Sequence, residues 1–256
     1  AFIPPKKNRF FIWIAETFWK PILKQLQNIN EVVISDKDRE KLAELKNQRL
    51  LFLSNHPTTA EPPLTFLIGK LIGDPLYFMA SRQVFNWNLK IIGFFIRRMC
   101  GFSVIAGTSD RHSIKTARSI LAQPAGKLAI YPEGEPTSGE NDNLMPFQSG
   151  VAQLGFWGLE DARRGDPTAD ITVLYAFMRY VFNVPNEEIR ENLDKSIRKL
   201  EKSLKIDSGE RTLLHRFFTI GRVLLEQAEE EYGLEVRNKD FDYRMGRLRH
   251  HMLDNV

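Results

Sequence analysis

Short apolar runs alternate with longer amphipathic segments over residues 49–177, and this alternation constrains the fold more than any other feature of the chain. The runs are rich in Leu, Ile, Val, Phe and Tyr, which is typical of buried strands. Strands that alternate with helices predict an α/β fold with a mostly parallel central sheet flanked by helices. The predicted strands are 49–54, 76–80, 102–106, 128–131 and 171–177, and the predicted helices are 62–73, 83–99, 109–122 and 147–158.

Residues 1–30 are predicted to form an amphipathic helix at a membrane interface. Apolar residues repeat at helical spacing from Phe11 to Ile22, and Trp13, Trp19 and several lysines accompany them. Mixed aromatic and basic residues are typical of helices that lie in the interface plane. A helix packed on the core of its own domain is the alternative. Pro21 is expected to kink or end the helix in either case.

The remaining residues, 31–256, are predicted to form a single α/β domain with a motif core at 45–180 and a helical part at 186–256. In the helical part an apolar stripe from Ile189 to Leu204 predicts one helix, and a second is expected between Gly209 and Gly233. The basic C-terminus is expected to be a solvated tail.

Charge and cysteine content narrow the choice of partners. The formal net charge is +4 and the isoelectric point is near 9.1, which suits an anionic membrane surface, coenzyme A or nucleic acid alike. A lone cysteine, Cys100, allows neither an intrachain disulfide nor a cysteine zinc site.

No run of apolar residues is long enough to span a bilayer, and no small-residue cleavage site follows the N-terminal run. We therefore expect a peripheral protein on the cytoplasmic face of a membrane.

A first chemical motif, Ser54 to Pro63, follows one predicted strand and leads into a helix. Ligands of parallel sheets collect at the carboxyl edge of the strands, so His56 is expected to face a substrate. A neutral imidazole accepts a proton at neutral pH, and Glu61 is placed to bind the other ring nitrogen. The motif predicts a general base with a carboxylate partner, and a solvated surface pair is the alternative.

A second motif, Tyr131-Pro132-Glu133-Gly134, follows a later strand at the same kind of edge. Together with Asn55-His56 and Glu61 it resembles the lysophosphatidic acid acyltransferase family, whose signatures are N-H-x-x-x-x-D and F-P-E-G-T-R. The resemblance covers roughly residues 45–180. Further segments that resemble the family are Ala80-Ser81-Arg82 and Phe147 with Ser149-Gly150-Val151-Ala152.

The resemblance implies transfer of a fatty acyl group from acyl-CoA or acyl-carrier protein to a lipid hydroxyl at a membrane surface, with no metal or other cofactor and no nucleic-acid partner. It implies that His56 removes the acceptor proton, that Glu61 orients His56, and that the hydroxyl attacks the thioester without an acyl-enzyme. The backbone N–H of Gly134 is expected to bind the oxyanion. The substrate-binding residues that the resemblance suggests are Asn55, Thr58, Arg82, Arg111, Glu133 and Gly134.

Several departures from the family pattern concern the acyl acceptor. Glu61 stands where the family has Asp, and Glu135-Pro136 replaces the Thr-Arg whose guanidinium suits a phosphate. A further family Arg would fall near Gly107, and Arg111 is its nearest replacement. We therefore expect an acceptor that is not a phosphomonoester: a neutral lipid alcohol or a lysophospholipid with a headgroup.

Two other functions remain open from the sequence. The same His56 and Glu61 would hydrolyse thioesters or lysolipids if water replaced the alcohol. Alternatively, the chain is a catalytically silent lipid-binding protein on an acyltransferase fold. The chain contains no H-E-x-x-H, P-loop or G-x-G-x-x-G motif, so zinc protease, nucleotidase and dinucleotide-binding functions have no support.

Overall fold

The computed structural model describes residues 2–105, 110–136, 144–207, 209–235 and 240–254. Contacts within the chain divide it into two compact units, residues 1–180 and 181–256. The first contains a five-stranded sheet in which every pairing is parallel, so the predicted α/β class with a parallel central sheet is confirmed. In chain order the strands are β1 (Leu50–Ser54), β2 (Tyr77–Ser81), β3 (Gly101–Val104), β4 (Lys127–Ile130) and β5 (Thr172–Ala176). Across the sheet they lie in the order β3-β2-β4-β1-β5.

Helices surround this sheet in the first unit. Two short 3₁₀ turns, Arg82–Asn86 and Asn88–Lys90, precede α5. The α-helices of the unit are α1 (Arg9–Thr17), α2 (Trp19–Gln27), α3 (Asp36–Glu44), α4 (Glu61–Ile72), α5 (Ile91–Arg98), α6 (Arg111–Ala122) and α7 (Gly150–Arg163).

The core lies on both faces of the sheet because successive residues of a strand point to opposite sides. On β1, Leu50 and Phe52 pack with apolar residues of α3 and α4, whereas Leu51 packs with those of α6 and α7. Burying one such side chain stabilises the fold by about 1.5–3 kcal/mol. Since β1 and β4 are neighbours, the segments that follow them emerge side by side at the carboxyl edge.

The single helix predicted over 83–99 is wrong. Asn88, Leu89 and Lys90 all have positive φ angles, which interrupt the helix and turn the chain back. Gly93 then lies so close to the preceding 3₁₀ turn that a Cβ on it would be 2.3 Å from the carbonyl oxygen of Phe85. A glycine is required at this crossing, and the helical spacing of the neighbouring apolar residues does not reveal it.

The N-terminal segment also contains two helices instead of the predicted one. The break comes at Phe18, three residues before the expected Pro21. Pro21 lies in the first turn of α2, where a helix needs no backbone N–H donor, so it is tolerated there. None of the helices in the described ranges combines the length and the apolar character that crossing a bilayer requires.

The second unit is helical, as predicted, with α8 (Asn186–Leu204), α9 (Leu213–Glu231) and α10 (Phe241–Asp254). The helix expected from Gly209 begins at Leu213, because the Thr212 side chain caps it by accepting from the backbone N–H of His215. The expected solvated tail instead contains α10, and Arg244 on this helix pairs with the buried Glu229 of α9.

Candidate active site

The first motif brings His56 and Glu61 together at the carboxyl edge of the sheet. Nδ1 of His56 lies 2.7 Å from Oε2 of Glu61. The Glu61 side chain is fully buried, whereas 14% of the His56 side chain is exposed. A carboxylate accepts hydrogen bonds, so a neutral imidazole that donates to Glu61 from Nδ1 has the lone pair of Nε2 available. This arrangement can take up a proton at Nε2 and stabilise the resulting positive ring.

Other donors hold the Glu61 carboxylate in place. The backbone N–H of Thr58 donates to Oε2 at 3.1 Å, and the Thr58 hydroxyl donates to Oε1 at 2.9 Å. The hydroxyl of Tyr180 also donates to Oε1. Burial and this hydrogen bond raise the pKa of the Tyr180 hydroxyl, which keeps it protonated as a donor. Thr58 was expected to bind substrate, but both its backbone N–H and its hydroxyl donate to Glu61.

Asn55 ties the end of β1 to the segment after β5. Its side-chain amide donates to the Met178 carbonyl at 2.8 Å and accepts from the Met178 backbone N–H at 2.7 Å. Asn55 is buried, so its expected role in substrate binding is not supported by this geometry. It instead fixes the chain two residues before Tyr180, which brings that hydroxyl to Glu61.

Glu133 from the second motif joins the two motifs. One carboxylate oxygen accepts from the backbone N–H of His56 at 2.7 Å, and the other accepts from that of Met145 at 3.0 Å. The residue is almost fully buried. Glu133 therefore positions the backbone of His56, and neither oxygen is directed at solvent as a substrate-binding group would be.

Gly134 does not have the geometry expected of an oxyanion donor. Its φ of +81° closes a turn in which its N–H donates to the Tyr131 carbonyl at 3.1 Å. The amide is therefore already engaged in the turn. The same turn places the Tyr131 ring against the His56 imidazole, with centroids 4.4 Å apart. Burial raises the pKa of the Tyr131 hydroxyl well above its ordinary value.

Arg82 begins the 3₁₀ turn after β2, at the same edge of the sheet. Nη2 of its guanidinium lies 3.6 Å from Oδ2 of Asp110, the N-cap of α6. Asp110 also accepts from the backbone N–H groups of His112 and Ser113. Arg82 is therefore engaged with a carboxylate at the sheet edge rather than presented singly to an anion.

Arg111 is the first residue of α6 and lies in a groove between α6 and α7. No contact joins it to the His56–Glu61 pair within the described part of the chain. Arg111 was expected to replace a family arginine near Gly107, and Gly107 lies outside the described residues. Most of the loop expected over 133–145 lies outside them as well.

Sequence reasoning missed Tyr180 and the stacking of Tyr131 on His56. Tyr180 is 119 residues from Glu61 along the chain, and no local pattern connects the two. A tyrosine four residues after the last strand of a parallel sheet is the one signal that could have drawn attention to this position.

The chain was compared with models of protein families and with curated proteins. A family model described as Acyltransferase matches residues 7–156, which contain both motifs. No significant match to a curated protein was found. The described residues contain no group of three His, Cys, Asp or Glu side chains arranged to hold a metal ion.

Proposed function

The chain belongs to the acyltransferase family, and we propose that it is a membrane-associated O-acyltransferase that moves a fatty acyl group from an acyl thioester to a lipid hydroxyl. The observation that carries this proposal is the buried Glu61 carboxylate, 2.7 Å from Nδ1 of the partly exposed His56. The same proposal includes coenzyme A or acyl-carrier protein as the carrier of the acyl group. It also includes a location on the cytoplasmic face of a membrane. The narrower likeness to lysophosphatidic acid acyltransferases stays a prediction.

In the proposed reaction the acceptor hydroxyl gives its proton to Nε2 of His56 while its oxygen attacks the thioester carbonyl carbon. The new C–O bond forms as the carbonyl electron pair moves onto oxygen. The tetrahedral intermediate then collapses, the C–S bond breaks, and the thiolate takes the proton from the imidazolium. Glu61 supports both proton transfers because its negative charge stabilises the charged ring.

An exposed aromatic surface supports the proposed membrane association. Phe11 on α1 contacts Phe94 and Phe95 on α5, with ring centroids 5.7 and 5.6 Å apart, and the Arg98 guanidinium stacks on Phe94. Helices α1 and α2 pack against α4, whose first residue is Glu61. Exposed apolar and aromatic side chains beside cations suit a lipid interface. We define the aromatic surface by its exposed members Phe10, Trp13, Trp87, Leu89, Ile91, Phe94 and Phe95.

We further propose that the acceptor carries no phosphomonoester. Arg82 is engaged with Asp110. From Gly134 to Ser149 the sequence contains Glu135, Glu140 and Asp142 but no Lys or Arg. Negative charge in the sequence after the second motif disfavours a doubly charged phosphate. A neutral lipid alcohol or a lysophospholipid with a headgroup avoids this repulsion.

An acceptor panel tests the proposal. Purified protein is given acyl-CoA with a diacylglycerol-like alcohol, an isoprenoid alcohol, a lysophospholipid or lysophosphatidic acid, and new ester and free fatty acid are measured separately. We expect ester on an acceptor that lacks a phosphomonoester.

Each other outcome has a distinct meaning. Strong preference for lysophosphatidic acid would contradict the acceptor class. Free fatty acid without ester would identify a hydrolase. Lipid binding with neither product would identify a catalytically silent protein.

A further inference from the structure

A groove of about 670 Å³ runs between α6 and α7, on the face of the sheet away from α4. This volume lies within the range of about 300–1,000 Å³ that small-molecule sites occupy. The charged and aromatic residues that line the groove are Arg111, Lys115, Arg118, Asp161, Arg164 and Trp157.

Positive charge is concentrated in this groove. Helix α6 carries three cations, Arg111, Lys115 and Arg118, and no carboxylate, whereas the whole chain has a formal net charge of only +4. With Arg164 and Asp161 included, the groove has a net charge of +3 (four cations less one carboxylate). A concave site with a net positive charge attracts an anionic ligand.

An aromatic ring lies among these charges. The Arg118 guanidinium is 5.5 Å from the Trp157 ring centroid. Asp161 holds it there by accepting two hydrogen bonds of 2.8 Å from Arg118, and Asp161 also pairs with Arg164 at 3.2 Å. Because Arg118 and Arg164 are engaged with Asp161, the binding of phosphates falls to Arg111 and Lys115. The partly buried indole can stack on a planar base.

We infer that this groove binds a nucleoside phosphate and, resting on the proposed acyl transfer, that this ligand is the nucleotide end of a coenzyme A thioester. An aromatic ring flanked by cations matches a base with attached phosphates. An acidic carrier protein would need the charges but not the recessed indole. The inference thus assigns coenzyme A, rather than acyl-carrier protein, as the acyl carrier.

The position of the groove is compatible with reaction at His56. Helices α6 and α7 follow β3 and β4, so Arg111, the first residue of α6, lies toward the carboxyl edge where both motifs lie. Trp157 comes seven residues after the start of α7, about 10 Å further along the helix axis. Strand β3 is three strand spacings from β1, on the order of 14 Å. Coenzyme A carries its thiol on a long flexible pantetheine arm, which separates the nucleotide from the reacting carbonyl.

Donor kinetics test this inference. Lys115→Glu and Trp157→Ala are compared with the wild type using acyl-CoA, the matching acyl pantetheine without a nucleotide, and acyl-carrier protein. We expect KM for acyl-CoA to rise about tenfold, with kcat and the kinetics with acyl pantetheine unchanged. Lys199→Glu, the same charge change at an exposed site on α8, should leave all values unaltered. Lys115→Gln serves as the milder variant if Lys115→Glu folds poorly.

A direct binding measurement separates this inference from the proposed function. Adenosine bisphosphate, the nucleotide half of coenzyme A, should bind the wild type by calorimetry, and Trp157→Ala should lose that binding. Nucleotide binding in a protein without transferase activity would support the groove and reject the function. Transfer with equal KM for acyl-CoA and acyl pantetheine would overturn the groove and keep the function. A rise in KM for acyl-carrier protein alone would overturn the nucleotide assignment in favour of a protein-docking face.

Discussion

At the scale of single residues, the candidate site depends on how the buried Glu61 carboxylate is held. Thr58, Tyr180 and His56 all donate to it, so each oxygen has defined partners. A carboxylate fixed in this way aims the imidazole, since ring orientation follows the hydrogen bond at Nδ1. Tyr180 touches no reacting atom of the proposed reaction and acts only through Glu61, as a positioning residue.

This relationship predicts the behaviour of three variants. Glu61→Gln should lower kcat by about a hundredfold to ten-thousandfold, because the charged partner of the imidazolium is lost. Tyr180→Phe should lower kcat by about tenfold or more, because it removes one hydrogen bond to a charged group. Tyr175→Phe, at an exposed position on β5, is the matched control and should have no effect.

The double variant decides whether Tyr180 acts through Glu61. In the Glu61→Gln background, Tyr180→Phe should cost much less than it does in the wild type, since residues of one network are not additive. Equal losses in the two backgrounds, measured by steady-state ester formation, would show that Tyr180 has an independent role.

The buried Cys100 thiol is predicted to react slowly with alkylating reagents in the native protein. Burial raises the pKa of the Cys100 thiol to about 12. The thiolate is the nucleophile, so alkylation of the native protein by iodoacetamide at mildly alkaline pH should be about a hundredfold slower, or more, than in denaturant. Cys100→Ser gives the background labelling, measured by mass spectrometry. Rapid labelling of the native wild type would contradict the buried thiol.

At the scale of elements, the contact between α6 and α7 shapes both the core and the groove. Gly158 on α7 crosses close to α6, and a Cβ there would lie 2.7 Å from Cβ of Leu121. Neither main chain can shift freely, because Ala117 and Leu154 are packed in the same buried cluster. The pairing of these helices therefore depends on the absence of a side chain at Gly158.

Replacing this glycine tests the packing. Gly158→Ala should lower the free energy of unfolding by about 1–3 kcal/mol, because overpacking outweighs the better helix propensity of alanine. Gly150→Ala in the same helix, where a Cβ meets nothing within 4 Å, is the control. Urea unfolding measures both variants. A Gly158→Ala protein as stable as Gly150→Ala would contradict the close crossing.

Local patterns predicted the strands because each buried strand carries its own apolar run. The break within 83–99 could not be predicted in this way, since the positive φ angles of Asn88, Leu89 and Lys90 accompany the close approach of Gly93 to Phe85. For the site, two short motifs were enough to predict that His56 and Glu61 meet. The contribution of Tyr180 depends on β5 lying beside β1, a pairing that no single segment encodes.

At the scale of the whole molecule, we expect the protein to bind lipid through the aromatic surface. The double variant Phe10→Glu/Trp13→Glu should reduce co-sedimentation with anionic phospholipid vesicles by about tenfold or more, because two exposed apolar groups become charged. Val33→Glu, another exposed apolar position in the first unit, should bind like the wild type. Undiminished binding of the double variant would place the lipid contact elsewhere.

His56 is the proposed base of the acyl transfer, and a variant that lacks its imidazole provides the sharpest test of this role. The measurement is the rate of ester formation from acyl-CoA by wild type and His56→Ala on the preferred acceptor, with circular dichroism and vesicle binding measured on the same samples. We predict a fall of about a hundredfold to ten-thousandfold with fold and vesicle binding unchanged. Ester formation at the wild-type rate by a folded His56→Ala protein would show that His56 is not the base.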